Sequence, residues 1–203
     1  MLRFTSFAGS ATIVAGFLQT AGDSIYALDR IYPGQSGFAF TNANAAIWHC
    51  LFVLGLIGLL SSGVAGPGWL GRIGLSIGIV GMGLLIAAEI LTQLLGEIPA
   101  LLIGASVPVT GLGLVLAGIA VLRSRRWRGW RAVTPLLVGA YPLLVMLPAF
   151  ALLGEANYIV VAGWGLFWML LGFALLTSSE PAVDATPAPA TVAVAAAGAS
   201  PRR

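Results

Sequence analysis

Apolar residues run along this chain in blocks of about 20, the length an α-helix needs to cross roughly 30 Å of hydrocarbon at about 1.5 Å per residue. Short polar or glycine- and proline-containing breaks mark off six such blocks, at residues 4–22, 43–64, 69–95, 101–122, 132–153 and 158–177. They predict an all-α membrane protein, a six-helix transmembrane bundle. The second and third blocks are joined by Gly66, Pro67 and Gly68, a turn tight enough to make them antiparallel neighbours. The first block is the most diluted, by Ser6, Ser10, Thr12, Gln19 and Thr20. Its start also fits a secretory signal, but Gln19 and Thr20 stand where a cleavage site wants small residues, which favours a retained helix. Beyond it, Ile25, Leu28 and Tyr32 recur at near-helical spacing, predicting a short helix in the interfacial layer. Residues 179–203 are rich in proline and alanine with no large apolar side chains, which predicts a disordered tail.

Composition removes the soluble alternative: 59% of residues are hydrophobic and 8% charged, with a mean hydropathy of +0.98, against roughly 25% charged residues in soluble domains. All ten basic residues are arginines, in a chain rich in alanine, glycine and proline. That usage fits a high-GC bacterial genome and so a bacterial cytoplasmic (inner) membrane. Arg3, Arg72, the run from Arg123 to Arg131 and the pair Arg202 and Arg203 fall on one side of a six-span chain. Because cytoplasmic loops accumulate Arg and Lys, this places both termini in the cytoplasm. The single cysteine, Cys50, excludes an internal disulfide and a cysteine-rich metal site.

Ionisable residues inside apolar blocks are costly, about 2.5 to 3.5 kcal/mol at a helix centre on insertion scales, and normally turn inward to a partner. Glu89 is such a residue, about 9 Å inside the outer end of the third block by helix rise. The only histidine, His49, lies equally deep in the antiparallel second block. The two stand at one level, where they either form a proton-sensitive pair or leave a neutral Glu89 bonded to another helix. Asp23, Gln93, Gln19, Thr20 and Asn157 lie near the same level and either line a polar pocket with the pair or are ordinary interfacial residues.

Sharper motifs fail on geometry. Gly74 to Gly78 spells G-x-S-x-G, but Ser76 lies about 20 Å along the helix axis from the level of His49, beyond reach of a base. One histidine cannot supply a two-histidine haem site, no metal motif or cysteine pair exists, and the glycines at 111, 113 and 118 follow no strand. Neither cofactor nor metal is expected, and no catalytic residue is assigned. Gly74/Gly78 and Gly113/Ala117 have the small-xxx-small spacing of helix contacts. Pro108, Pro142 and Pro148 predict kinks, and Trp164 and Trp168, four apart, share one helix face suited to packing.

The densest charge is RSRRWRGWR at residues 123–131, where Arg123, Arg125, Arg126, Arg128 and Arg131 alternate with Trp127 and Trp130. Wedged between two apolar blocks, it cannot leave the bilayer surface, which excludes nucleic acid. It reads as an anchor at the inner face, with anionic lipid headgroups as partners at about 1 kcal/mol per arginine. In LGLIGLLSSGVAGPGWLGRIGLSIGIVGMGLL and GIAVLRSRRWRGWRAVTPLLVGAYPLL, within about residues 45–150, the chain resembles a loose group of small Gly/Ala-rich bacterial multi-pass inner-membrane proteins of unassigned function. The likeness implies a membrane protein and no activity. Three functions remain: a non-enzymatic subunit, regulator or assembly partner, bound to another membrane protein or to its own copies; a small proton-sensitive transporter or channel using Glu89 and His49; and a membrane enzyme acting on lipid.

Overall fold

In a computed structural model the chain is described over residues 2–32, 42–97, 99–154 and 156–178. Six helices account for nearly all of these residues: α1 (Leu2–Ile31), α2 (Asn42–Ser62), α3 (Trp69–Leu95), α4 (Ala100–Ser124), α5 (Trp130–Leu153) and α6 (Tyr158–Ser178). No strand occurs among the described residues. From α2 to α6, all five helices are long and apolar enough to cross a membrane. Each helix packs on the next, and α6 closes the ring against α1. The expected disordered tail, residues 179–203, lies outside the described residues.

α1 has the length for a span, and its composition is explained by the direction its residues face. Thr5, Thr12, Gln19 and Asp23 are all buried, at a spacing of seven, seven and four that keeps them on one helical face. Phe7, Val14, Phe17 and Leu28 are exposed. The helix is therefore inverted relative to a soluble one, polar side inward and aromatic side outward. It also runs unbroken to Ile31, so the stretch expected as a separate interfacial helix is the continuation of α1. Gly22 lies inside this helix, and the Trp48 ring packs 3.0 Å from where its Cβ would be.

Close backbone approach holds the ring together. A Cβ on Gly16 would meet the Gly165 carbonyl at 2.5 Å, and one on Gly172 would meet the Gly9 carbonyl at 2.6 Å. Glycine at these four positions lets α1 and α6 touch backbone to backbone. α3 and α4 use the same device: Gly74, Gly78 and Gly113 interlock, with Ala117 against Gly74. Small residues thus stand where lipid offers no hydrophobic force and packing must supply the attraction.

α5 is interrupted. It is α-helical over Trp130–Tyr141, π-helical over Pro142–Met146 and α-helical again over Leu147–Leu153. Pro142 has no N–H to give the Val138 carbonyl one turn earlier. The Trp164 indole Nε1 donates to that carbonyl instead, at 2.8 Å. On the other side the Leu147 N–H reaches back five residues to the Pro142 carbonyl, the bond of a π turn. The break expected near Pro142 is thus a wide turn locked by a tryptophan from α6.

Candidate functional site

The bundle has two chemically different ends. At one, α2 is joined to α3 and α4 to α5; at the other lie the C-terminus of α1 and the starts of α2, α4 and α6.

At the α1 C-terminal end a cavity of about 160 Å³ enters the ring. Its floor and walls are apolar, with Leu85, Val107, Met146, Phe150 and Trp164 among them, and Asn42 and Tyr158 stand at helix starts on its rim. Among the described residues an imidazole and two carboxyls from three helices line it: His49 of α2, Asp23 of α1 and Glu89 of α3. All three are buried. His49 Nδ1 lies 2.8 Å from Glu89 Oε1 and 3.0 Å from Oε2, so the imidazole edge faces both carboxylate oxygens. With Nδ1 as the donor to the carboxylate the bond is charge-assisted in either state, between opposite charges when His49 is protonated and between a neutral N–H and an anion when it is not. Asp23 is close enough to feel the charge of both.

Local sequence explains each placement. His49 is held between the rings of Trp48, at 6.2 Å between centroids, and Phe52, at 5.8 Å. Gln19, one turn before Asp23, hydrogen-bonds the Asp23 carboxyl and reaches the Val161 carbonyl of α6 at 3.5 Å. Thr20 donates to Ala162 O, and Tyr141 of α5 donates to Val160 O. Three successive carbonyls of α6 are thereby tied to α1 and α5. Below the cavity Phe52 stacks on Trp168, centroids 4.2 Å apart and planes 16° apart. Leu56, Leu59, Leu75, Leu114 and Leu171 continue the seal, all fully buried.

The structure brings Glu89, His49, Asp23 and Gln19 together, and leaves the remaining pocket candidates outside. Gln93 is exposed, one turn beyond Glu89 toward the helix end and not among the residues that line the cavity. Thr20 bonds backbone, and Asn157 accepts from Ile159 N and Val160 N, capping the start of α6. Sequence reading missed the aromatic walls, Trp48, Phe150 and Trp164. For Trp48 the signal was adjacency to His49; for Phe150 none existed, because the π turn sets its direction.

At the opposite end Arg123, Arg125, Arg126 and Arg128 are exposed. Arg126 Nη1 donates to Gly63 O at 2.8 Å, and Ser124 Oγ donates to Val64 O, so the end of α4 and the turn after it hold the carbonyls of the α2–α3 turn. Arg131 lies 5.9 Å from the centre of the Trp130 ring. Trp127 departs from the expected surface anchor: it is 6% exposed and belongs to the core. The left-handed Arg125 (φ 55°) turns the chain back and folds that ring under the helices. A cavity of about 390 Å³ lies between Arg123, Arg126 and the α2–α3 turn.

No protein-family model, no curated protein and no solved structure matches the chain.

Proposed function

We propose that the chain is a non-enzymatic, multi-pass integral protein of the bacterial cytoplasmic membrane that works as a small proton-sensitive transporter through the Asp23, His49 and Glu89 cavity. The observation that carries this reading is the buried pair of His49 and Glu89, from different helices, lining one cavity with a second buried carboxyl, Asp23. Intramembrane ionisable groups are expensive and normally mark a substrate or proton path. The groups that bear on the pair are Asp23 from α1 and Tyr158 from α6, with Tyr26 and Arg30 next to Tyr158; α4 and α5 present only apolar residues to the cavity. A proton moving on or off the cluster changes the attraction between α2 and α3. The π turn of α5 borders the same cavity through Met146 and is locked by Trp164, which also lines it. Broken helices at midplane sites are a recurrent feature of transporters.

Six spans are supported by the inverted faces of α1, which suit a helix with lipid outside and a polar core inside. The arginine asymmetry supports an orientation with both termini cytoplasmic and the cavity open to the outer face. Anionic headgroups then meet the exposed Arg123, Arg125 and Arg128. A subunit role keeps one observation: α5 is the least buried of the five apolar helices, a face for a membrane-protein partner or a second copy. Co-purification of a partner in mild detergent supports that second reading.

The transporter reading is tested by pH jumps on proteoliposomes adsorbed to a sensor electrode. Wild type displaces charge, and His49→Gln and Glu89→Gln do not. No displacement in wild type, or equal displacement in all three, contradicts it.

A further inference from the structure

Within the cavity the hydrogen-bond account does not close. Asp23 Oδ2 and Gln19 Oε1 are fully shielded from solvent with no hydrogen-bond partner. Asp23 is 3% exposed and Gln19 is 1% exposed, and both line the cavity. Leaving a buried acceptor unmet costs about 1 to 3 kcal/mol, more for a charged one. The charge account is open in the same place. In its ionised state Asp23 adds a second carboxylate beside Glu89 against a single imidazole, and no guanidinium lines the cavity among the described residues.

A group that satisfies both acceptors donates N–H or O–H, and a single positive charge on it also pairs with the Asp23 carboxylate. Its shape follows from the walls. At roughly 30 Å³ per water-sized unit the cavity holds about five non-hydrogen atoms. Most of its lining is apolar, which suits an alkyl chain and supplies too few oxygens for a bare alkali ion. Among the described residues no trio of His, Cys, Asp and Glu is arranged to hold a metal ion. Trp48, Trp164 and Tyr158 supply ring surfaces, which attract cations through their quadrupoles.

We propose that the cavity binds a small protonated amine, an alkylammonium ion whose N–H groups bond Asp23 Oδ2 and Gln19 Oε1 while its alkyl chain lies among Leu85, Val107 and Phe150. The inference rests on reading the cavity as a working site and names its ligand class. The ammonium supplies a countercharge to the Asp23 carboxylate, and the His49 and Glu89 pair stays intact beside it. A quaternary ammonium of similar size has the charge without the donors, and a carboxylate has the wrong sign.

The test uses the full-length protein in nanodiscs at fixed neutral pH, read by intrinsic tryptophan fluorescence and by calorimetry. The probes are propylammonium, tetramethylammonium and propionate, with sodium chloride for ionic strength. Saturable binding of propylammonium, at least about tenfold tighter than tetramethylammonium, with none for propionate, is expected. Asp23→Asn weakens propylammonium by about tenfold or more, and Gln19→Met does so to a lesser extent. Absence of saturable propylammonium binding, equal binding of propionate, or full binding by a folded Asp23→Asn protein overturns the proposal. If Asp23→Asn does not fold, the order of the three probes on wild type decides. Because no pH step is involved, loss of amine binding with intact pH-jump currents rejects the ligand class alone. Binding without those currents rejects the transport reading alone.

Discussion

The two ends of the bundle carry charge in opposite ways. At the arginine end, five guanidiniums crowd nine residues, and four of them stand exposed. Their work is local: Arg126 satisfies Gly63 O, Arg131 approaches a ring, and the others face outward. At the cavity end Asp23, His49 and Glu89 enter the ring from α1, α2 and α3, and all three are buried. Removing a charge from the first end releases it into solvent or headgroups; removing one from the second strands its partner in a medium of low dielectric. Density of charge marks a surface, whereas sharing of charge between helices marks a site.

The largest break in this contrast comes from His49→Leu, which leaves the Glu89 carboxylate buried without its imidazole. Loss of about 3 to 5 kcal/mol is expected in unfolding from detergent micelles. Replacing both, as His49→Leu with Glu89→Leu, restores stability close to wild type, because a well-packed apolar pair stands in for a buried ion pair at little cost. A double variant as unstable as the single would show that packing, and not charge, sets the loss.

A smaller effect separates the two tryptophans of α6. Trp164→Phe removes the donor to Val138 O beside Pro142, exposing an unmet carbonyl worth about 1 to 3 kcal/mol. Trp168 Nε1 has no acceptor, so Trp168→Phe keeps the stack on Phe52 and loses only ring area. Thermal unfolding of the two variants side by side checks the order.

The arginine end gives the smallest changes. Arg126→Ala costs about 1 kcal/mol or less, through the lost bond to Gly63 O, and Arg128→Ala costs nothing measurable. Arg125→Gly raises stability by about 1 kcal/mol, since a left-handed residue with a Cβ is strained. Equal losses from Arg126→Ala and His49→Leu would erase the difference between the ends.

Much of this architecture was legible in the apolar blocks, because block length and bilayer thickness are linked by helix rise. The levels of His49 and Glu89 were legible for the same reason, as depth follows from counting residues along two antiparallel helices joined by a short turn. Rotation about each helix axis was not legible, so whether the two side chains faced each other waited on the structure. Gln93 shows a second limit: it shares the helix face of Glu89, but one turn nearer the helix end it is exposed. α1 was readable in principle. Its Thr5, Thr12 and Gln19 repeat every seven residues, as do Gly9 and Gly16, and that common period was the sign of one inward face. Trp127 was not readable, since its burial depends on the left-handed turn at Arg125. The π turn of α5 escaped as well, because its closing partner Trp164 lies 26 residues from Val138 in the chain.

The chain has one histidine, so a sample labelled with ¹⁵N-histidine gives a single imidazole to observe. The decisive measurement is the ¹⁵N spectrum of His49 in bilayers, in wild type and in Glu89→Gln, across neutral and mildly acidic pH. The predicted result is a proton on Nδ1 bound to a carboxylate in wild type, with the Nδ1 signal and its response to pH both altered in Glu89→Gln. Identical spectra and identical pH responses in the two proteins would contradict a proton-sensitive site built on this pair.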